Sequence, residues 1–285
     1  MAKRSHQRTL ADVAEVRGIG LHTEAKVTLT LRPAEEDHGL IFRRVDLPGR
    51  PLVPVTADHI DWENLSNRTT LTAGPAQVIT PEHVLSALSG MGIDNALIDL
   101  SAPECPAVDN SAMPFVEAIE AAGTADQSAH RRVITLTRPL TVRDEASGAE
   151  VTAMPSERFE VTFFAEYPPD YFLPAQTINM RVTPKAFREQ VAAARTWIFA
   201  EKIPELLLRG LGQGGTRDTV LVIGKSEFVT EARCPDEPAR HKVLDLIGDL
   251  ALLGRPLLAH VMARRSGHAL HAKTVKCILE QIDAA

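Results

Sequence analysis

The chain has 285 residues, of which 44% are hydrophobic and 24% are charged, so it can form one large globular domain or two of moderate size. Its net charge of −6 argues against a nucleic-acid partner, and its three widely spaced cysteines, without a CxxC pair, are typical of a cytoplasmic protein. No apolar run follows the basic residues near the N-terminus and none reaches about 18 residues, so neither a signal peptide nor a membrane span is expected.

The first half of the chain is predicted to alternate strands and helices. Residues 26–31 alternate apolar and polar side chains, which is the pattern of a half-buried strand. Thr80 suits the capping position of a helix, and Pro81 suits its first position. In chain order, the predicted elements are a strand at residues 26–31, a turn at 46–50, a helix at 80–90, a buried strand at 93–100 and a short helix at 114–121.

The second half is predicted to repeat this order after a linker at residues 121–130, which is small and polar and shows no periodicity. Its predicted elements are strands at residues 132–142, 158–165 and 256–263, and helices at residues 183–194, 238–253 and from about 267 onward. Mixed strands and helices in two comparable blocks indicate an α/β or α+β layer architecture.

Two of three notable histidine segments lie at predicted helix starts. His83 follows Glu82 in a first turn, near free backbone N–H groups, and His268 follows a glycine at a strand-to-helix junction. Each has an ordinary alternative: a solvent-facing pair for Glu82 and His83, and a helix-start histidine without a role for His268. His268 and His271, three residues apart, are a further candidate metal pair.

The third segment carries His241 and Asp245, which are four residues apart and therefore lie on one helix face, one turn apart. A helix can offer two ligands to one metal ion in this geometry. Asp249 lies one turn further along, and Gly248 is expected to leave open space on this face. The alternative is an exposed His–Asp pair on a surface helix, although two carboxylates on a mostly apolar segment need partners.

Together these residues supply the parts of a hydrolytic zinc site, although their spacing alone leaves open whether they converge. Such a site needs protein ligands, an open position for water and a nearby base. Glu82 could accept the proton of the water, and His268, paired with Asp249, could act as an acid or stabilise an oxyanion. The candidate ligands are two imidazoles and one carboxylate: His83, His241 and Asp245.

A series of short motifs also resembles one enzyme family, the UDP-3-O-acyl-N-acetylglucosamine deacetylases (LpxC). Each motif is weak alone, but the set occurs in the family's order across nearly the whole chain. The matching segments are residues 18–23 (GIGLHT), 82–88 (EHVLSAL), 92–95 (GIDN), 102–106 (APECP), 109–116 (DNSAMPFV), 194–196 (ART), 209–215 (RGLGQGG), 240–249 (RHKVLDLIGD) and 266–270 (SGHAL).

The resemblance implies an α+β fold of two α/β sandwich domains, residues 1–125 and 131–285, each a small mixed sheet packed on two helices, with the site between them. It implies zinc bound by His83, His241 and Asp245, with Fe(II) as an alternative because such a site also suits that metal. It further implies Glu82 as the general base. The remaining catalytic residues it implies are His268, to stabilise the charged intermediate or protonate the leaving amine, Asp249 to orient His268, and Thr196 near the oxyanion.

The resemblance also implies the substrate and its contacts. The reaction would be hydrolysis of the acetamide of UDP-3-O-acyl-N-acetylglucosamine, the committed step of lipid A biosynthesis, catalysed by a monomer. His22 and Lys242 would lie on the sugar-nucleotide side. An insert at about residues 197–222 would form the passage for the acyl chain, and its apolar residues include Ile203 and Leu206–Leu208. The other implied contacts are Leu21, Phe199, Gly214, Gly215 and Arg265.

The chain departs from the family pattern at several positions outside the metal and acid–base residues. Asn110 replaces a glycine, Pro81 replaces a valine, and Ile198 replaces a small residue, which could narrow the acyl passage. Residues 238–239 lack the usual aromatic, and the hairpin at residues 143–150 lacks a lysine. We expect these differences to affect acyl length and substrate affinity rather than the reaction class.

Two rival functions remain at this point. The first is a related zinc amidase that acts on another acylated amine, which Ile198 and the altered hairpin support. The second is a non-catalytic binding protein on the same fold. Such a protein is expected to lose Glu82, His268 or a metal ligand, and this chain keeps all of them.

Overall fold

The computed structural model describes residues 5–283. Residues 1–4, which belong to the N-terminal segment where no signal peptide is expected, lie outside this range. Within this range, no helix combines the length and apolar character needed to cross a membrane. The helices are α1 (Glu82–Met91), α2 (Met113–Ala122), α3 (Pro184–Gln190), α4 (Ile203–Leu208), α5 (Glu237–Leu250) and α6 (His268–Asp283). Short 3-10 helices lie at Ala57–His59, Ala200–Lys202 and Ala251–Leu253.

The first half of the chain forms a five-stranded mixed sheet in the order β2-β3-β8-β4-β5. The pair β4/β8 is parallel and the other pairs are antiparallel. Two smaller sheets pair β6 with β7 and β1 with β9. The strands are β1 (His6–Leu10), β2 (Ala14–Ile19), β3 (Lys26–Pro33), β4 (Leu40–Arg44), β5 (Leu52–Pro54), β6 (Thr70–Ala73), β7 (Ala76–Ile79), β8 (Ala96–Leu100) and β9 (Thr124–His130).

The second half forms a sheet in the order β11-β12-β17-β13-β14, and β10 also pairs with β17. Its only parallel pair on that path, within the described chain, is β13/β17. A separate parallel pair, β15 with β16, flanks the insert. The strands are β10 (Ile134–Thr135), β11 (Leu140–Asp144), β12 (Ala149–Pro155), β13 (Glu160–Ala165), β14 (Gln176–Arg181), β15 (Trp197–Phe199), β16 (Leu221–Ile223) and β17 (Leu257–Arg264).

The two main sheets share one plan, which confirms the repeated element order expected from the sequence. In each sheet the central strand, β8 or β17, comes last in the chain and pairs parallel on one side and antiparallel on the other. Each central strand is preceded by one helix, α1 or α5, and followed by another, α2 or α6. Two mixed sheets, each packed with helices, give the α+β fold, and α1 packs directly on α5, which joins the halves.

Burial explains why the helices lie where they do. The apolar side of α5, including Val243, Leu244 and Ile247, is fully buried, and so is that of α1 around Val84 and Leu88. These side chains belong to one apolar core that extends through both halves. Several acidic residues and histidines of α1 and α5 are also buried, namely Glu82, His83, Glu237, His241, Asp245 and Asp249, so they need partners inside the protein.

Several local predictions differ from the structure. Thr80 does not cap α1, because its φ is +55° and its hydroxyl donates to Glu104 instead. The helix begins at Glu82, two residues after the predicted start. Most of the predicted linker is strand β9, because residues 124–130 pair with β1 at the edge of the first half. The strand predicted at residues 132–142 is two strands, β10 and β11, separated by a segment that contains Pro139.

The space expected beside Gly248 is filled. A side chain there would overlap the backbone of Glu82, so α1 begins directly against this residue of α5. Helix α3 keeps the predicted cap, since Thr183 accepts a hydrogen bond from the Ala186 N–H, but it ends at Gln190 rather than Ala194.

Candidate active site

The start of α1 and one face of α5 bring the polar residues together. Glu82 and His83 form the first turn of α1, while His241, Asp245 and Asp249 follow one another at successive turns of α5. Gly248 allows this approach, because only hydrogen stands between the α5 backbone and the Glu82 backbone. Close contact of the two helices therefore sets the distance between the two groups of side chains.

The first group consists of His83, His241 and Asp245, whose ligand atoms all lie within 4.8 Å of one another. Asp245 Oδ1 lies 3.2 Å from His241 Nε2 and 3.9 Å from His83 Nε2. His241 Nδ1 donates to the Ala194 carbonyl at 3.0 Å, which leaves Nε2 as the nitrogen that faces the carboxylate.

The charge state of this group favours a bound cation. Burial and the neighbouring His241 lower the pKa of His83 to about 3, and burial also lowers the pKa of His241. Burial opposes ionisation of Asp245, but His241 and Lys242 outweigh it and hold its pKa well below the usual range. A neutral imidazole nitrogen therefore faces an ionised oxygen, and two such acceptors need a cation between them. The donor set fits zinc, which takes imidazole nitrogens and carboxylate oxygens.

Lys242 lies next to this group. Its Nζ donates to Asp245 Oδ2 at 2.6 Å, so the two oxygens of Asp245 have different neighbours. Burial lowers the pKa of Lys242, but the Asp245 carboxylate outweighs it and the net pKa is raised, which keeps the ammonium charged. This cation offsets part of the negative charge that Asp245 and Asp249 bring to the interior.

Glu82 is the carboxylate next to the possible metal ligands. Its Oε2 accepts a hydrogen bond from the Thr69 N–H at 3.2 Å, and its Oε1 lies 3.9 Å from His268 Nε2. Burial, assisted by Asp249 and Asp245, raises the pKa of Glu82 to about 8. A carboxyl group in this state can exchange a proton near neutral pH.

Asp249 holds His268. The Nδ1 atoms of His268 and His271 both donate to Asp249 Oδ2, at 2.8 and 2.7 Å, and the Thr69 hydroxyl donates to Oδ1 at 2.6 Å. Burial opposes protonation of His268, but Asp249 outweighs it and raises the pKa of the imidazole to about 9. The expected pair of His268 and Asp249 is thus present, and His268 can keep a proton at neutral pH.

A turn in the first half forms another side of the site. The carboxylate of Glu104, fully buried, accepts from the N–H groups of His22 and Thr23 and from the hydroxyls of Thr23 and Thr80. These hydrogen bonds hold the turn at residues 20–23 in place. Burial lowers the pKa of His22 to about 4, so this imidazole is neutral.

The same turn contacts the insert of the second half. The Gly212 N–H donates to His22 Nδ1 at 3.2 Å, and the Gly214 N–H donates to the Leu21 carbonyl at 2.9 Å. A side chain at Gly214 would overlap the carbonyl of Gly20, so only glycine permits this contact. Because Nδ1 of His22 accepts, its Nε2 carries the ring proton.

A cavity of about 240 Å³ opens onto these groups. Nine predicted residues line it: Leu21, His22, Glu82, His83, Thr196, His241, Lys242, Asp245 and His268. The structure therefore brings together residues from distant parts of the sequence, including the candidate metal ligands His83, His241 and Asp245. A larger cavity, of about 640 Å³, lies where α1 and α5 end and is lined by none of these nine.

Four other predicted substrate contacts lie outside the lining of the smaller cavity. Phe199 packs against the rings of Tyr171 and Trp197. Arg265 pairs with Glu166 at 2.7 Å. Gly214 and Gly215 belong to the insert segment against the turn at residues 20–23.

Sequence reasoning missed several residues of the site. Thr69 contacts both Glu82 and Asp249, and its only signal was a polar run at residues 66–70 before an apolar strand. Glu104 was noted only as part of a motif. Other residues that line the cavity without having been predicted are Ser66, Asn67, Thr80, Trp197 and Gly267.

Comparisons with known proteins identify the family of this chain. Residues 7–280 match the family model described as LpxC, UDP-3-O-acyl N-acetylglycosamine deacetylase. A protein of Anaeromyxobacter sp. (strain Fw109-5) is 42% identical over 277 residues, which are 96% of this chain and 88% of the relative. A protein of Myxococcus xanthus (strain DK1622) is 36% identical over 276 residues, or 96% of this chain and 86% of the relative.

A third relative, from Thermosynechococcus vestitus (strain NIES-2133 / IAM M-273 / BP-1), is 40% identical over 279 residues, which cover 96% of this chain and 94% of the relative. All three proteins are named UDP-3-O-acyl-N-acetylglucosamine deacetylase. The similarity covers the segments that carry the buried histidines and carboxylates as well as the rest of the fold. The chain therefore belongs to the LpxC family of UDP-3-O-acyl N-acetylglycosamine deacetylases.

Proposed function

We propose that this chain is a zinc-dependent hydrolase that removes the acetyl group from UDP-3-O-acyl-N-acetylglucosamine, releasing acetate and a free amine. One observation carries the proposal: a neutral imidazole and an ionised carboxylate face each other at 3.2 Å beside a buried glutamate, in a chain of the deacetylase family. A cation at that point and a base next to it are what amide hydrolysis requires.

The metal would be held by His83, His241 and Asp245. When bound, zinc would polarise the amide carbonyl and lower the pKa of a water molecule. Helix α5 holds two of the three ligands in fixed register, and the Ala194 carbonyl fixes the tautomer of His241. A His–His–Asp set also suits Fe(II), so the metal used in the cell is a matter for experiment.

Glu82 is the proposed general base. Its raised pKa lets it take a proton from the attacking water and release that proton again near neutral pH. The Thr69 N–H holds one carboxylate oxygen, which leaves the other, Oε1, to face His268. The orientation of the base is thus fixed before substrate binds.

His268 is the proposed acid. Asp249 orients its ring through Nδ1, so that Nε2 is the nitrogen available to the leaving amine or to a developing oxyanion. Asp249 keeps His268 protonated, whereas Glu82 acts in its ionised form, so the two groups divide the work between an acid and a base. Thr196 lines the cavity and is the proposed neighbour of the oxyanion.

The substrate would extend from this cavity in two directions. Leu21, His22 and Lys242 are proposed to contact the sugar nucleotide, since each lines the cavity and Lys242 is charged. The insert between β15 and β16 is proposed as the acyl passage, together with Phe199, Gly214 and Gly215. Helix α4 supports this role, because it lies within the insert and its Leu207 and Leu208 are exposed apolar side chains.

Other parts of the proposal follow from the family and the chemistry. The reaction would be the committed step of lipid A biosynthesis, and Arg265 would be a peripheral substrate contact. The two sandwich domains would divide near residues 125–131, and the protein would act as a monomer. The cysteines are free thiols, which suits a reducing compartment such as the cytoplasm.

The experiment that tests this assignment compares the wild-type protein with Glu82→Gln. Acetate release from UDP-3-O-acyl-N-acetylglucosamine is measured, and zinc content is determined on the same samples. We expect Glu82→Gln to keep its zinc and to lose about 100- to 10,000-fold in kcat, the range for removal of a general base. A Gln variant with wild-type turnover would show that Glu82 is not the base.

A further inference from the structure

His271 is a buried imidazole that the proposed mechanism does not use. It lies one turn after His268 on α6, is completely shielded from solvent, and is fixed at both ring nitrogens. Its Nδ1 donates to Asp249 Oδ2 at 2.7 Å, and its Nε2 lies 2.8 Å from the Ser266 hydroxyl. A buried imidazole with hydrogen-bond partners at both nitrogens must serve either the reaction or the packing of the fold.

We propose that His271 is a positioning residue for the deacetylation: it holds Asp249 in the orientation that fixes the ring and the protonated nitrogen of His268. This inference rests on the proposed function. The chain of contacts runs from Ser266 through His271 and Asp249 to His268, which faces the cavity.

The donor and acceptor roles in this series of hydrogen bonds follow from the Asp249 carboxylate. An ionised carboxylate can only accept, so both histidines must carry hydrogen on Nδ1. Burial lowers the pKa of His271, and the neutral ring then has an unprotonated Nε2. That nitrogen can only accept, so the Ser266 hydroxyl donates to it. Every donor and acceptor from Ser266 to Asp249 is thereby assigned a single role.

His271 matters because His268 has few other anchors. Asp249 is its hydrogen-bond partner at 2.8 Å, and the next contact at Nδ1, with the Thr69 hydroxyl, is 3.5 Å long. The orientation of His268 therefore depends on that of Asp249. Asp249 is held by Thr69 at one oxygen and by His271 at the oxygen that it shares with His268. Removing His271 would leave Asp249 held by Thr69 and His268 alone, so the orientation of the carboxylate would be less well fixed.

Ser266, His271 and Asp249 also have the connectivity of a serine-hydrolase triad. However, Ser266 is only 5% exposed and does not line the cavity, whereas its neighbours Gly267 and His268 do. A nucleophile must reach the substrate carbonyl, and this hydroxyl is turned inward to His271. The geometry therefore favours support of His268 over direct attack by Ser266.

The test uses three variants of the full-length, zinc-loaded protein. His271→Leu removes both ring contacts, His271→Asn keeps an N–H that can donate to Asp249, and Ser266→Ala removes only the outer donor. Acetate release gives kcat and KM, zinc content is measured on each sample, and NMR of the imidazole N–H protons reports the state of His268.

We expect His271→Leu to lower kcat about 10- to 100-fold, the range for outer partners of metal sites, with KM changed by less than about twofold and zinc content unchanged. His271→Asn should recover most of that loss, and Ser266→Ala should lower kcat several-fold. The Nδ1 proton signal of His268 should shift or exchange faster in His271→Leu and return in His271→Asn.

Two results would overturn the inference. The first is a wild-type kcat and an unchanged His268 proton signal in His271→Leu or, if that variant does not fold, in Ser266→Ala. The second is a loss of kcat in His271→Asn as large as in His271→Leu, which would indicate packing rather than hydrogen bonding. If the wild-type protein released no acetate, the proposed function would fail, and the NMR signals alone would decide whether His271 positions His268.

Discussion

Gly248→Ala is predicted to destabilise the protein, against the usual preference of helices. Alanine at an interior helix position normally gains about 1 kcal/mol over glycine. Here the added carbon would overlap the backbone carbonyl of Glu82, and backbone cannot move aside as a flexible side chain can. Overpacking of this kind costs about 1–3 kcal/mol, and pushing α1 away from α5 adds the loss of buried contacts. After the gain of about 1 kcal/mol is subtracted, overpacking alone leaves a net loss of up to about 2 kcal/mol in the free energy of unfolding, and lost contacts between the helices add to it.

The same displacement should weaken the site, because Glu82 and His83 move with α1 while His241 and Asp245 stay on α5. The assay is denaturant unfolding together with zinc content and acetate release. Gly267→Ala, just before α6, is a stability control for replacing a glycine without a steric clash, since an added carbon there meets no atom within 4 Å. A Gly248→Ala protein that was about 1 kcal/mol more stable than wild type, as propensity alone predicts, would refute the described contact of α1 with α5.

Three further predictions concern the metal, the pH dependence and the acyl passage. Asp245→Ala should bind zinc much more weakly, because a ligand is lost, and full zinc occupancy at nanomolar free metal would exclude Asp245 as a ligand. Burial opposes ionisation of Glu237, but the hydrogen bonds from Arg195 outweigh burial and lower the pKa of Glu237. The pair of Glu237 and Arg195 therefore stabilises the folded state at pH values above the normal pKa of a glutamate. This stabilisation is lost as the pH falls through the lowered pKa of the folded state. Unfolding experiments should therefore show a larger deficit for Glu237→Gln at pH 7 than at pH 3, and an equal deficit at both would contradict this. Ile198→Ala should move the acyl-length optimum toward longer chains if Ile198 narrows the passage, which a series of substrates would show; an unchanged optimum would place Ile198 outside it.

The sequence predicted the helices that carry the site well, because their signals are local. His241, Asp245 and Asp249 share a face by helical spacing alone, and Thr183 caps α3 as its residue type predicts. Convergence of these residues with Glu82 and His83 could not be predicted in this way. This convergence depends on the packing of α1 on α5, and the residues of these two helices lie some 160 positions apart in the sequence.

The errors arose where tertiary contacts override local preference. Thr80 has the residue type of a cap, but Glu104 takes its hydroxyl and the backbone turns to a positive φ. Residues 124–130 lack strand periodicity because they form an edge pair with β1 whose side chains are mostly half-buried or exposed. Thr69 could not be identified because its role depends on two partners, Glu82 and Asp249, from different helices.

The most direct test of the account is acetate release by the purified wild-type protein from UDP-3-O-acyl-N-acetylglucosamine, measured as isolated, after removal of metal by a chelator, and after zinc is restored. We predict one acetate for each free amine formed, loss of activity without metal, and recovery at about one zinc per chain. A fully metallated protein that released no acetate at any acyl length would contradict it and would favour an amidase for another acylated amine.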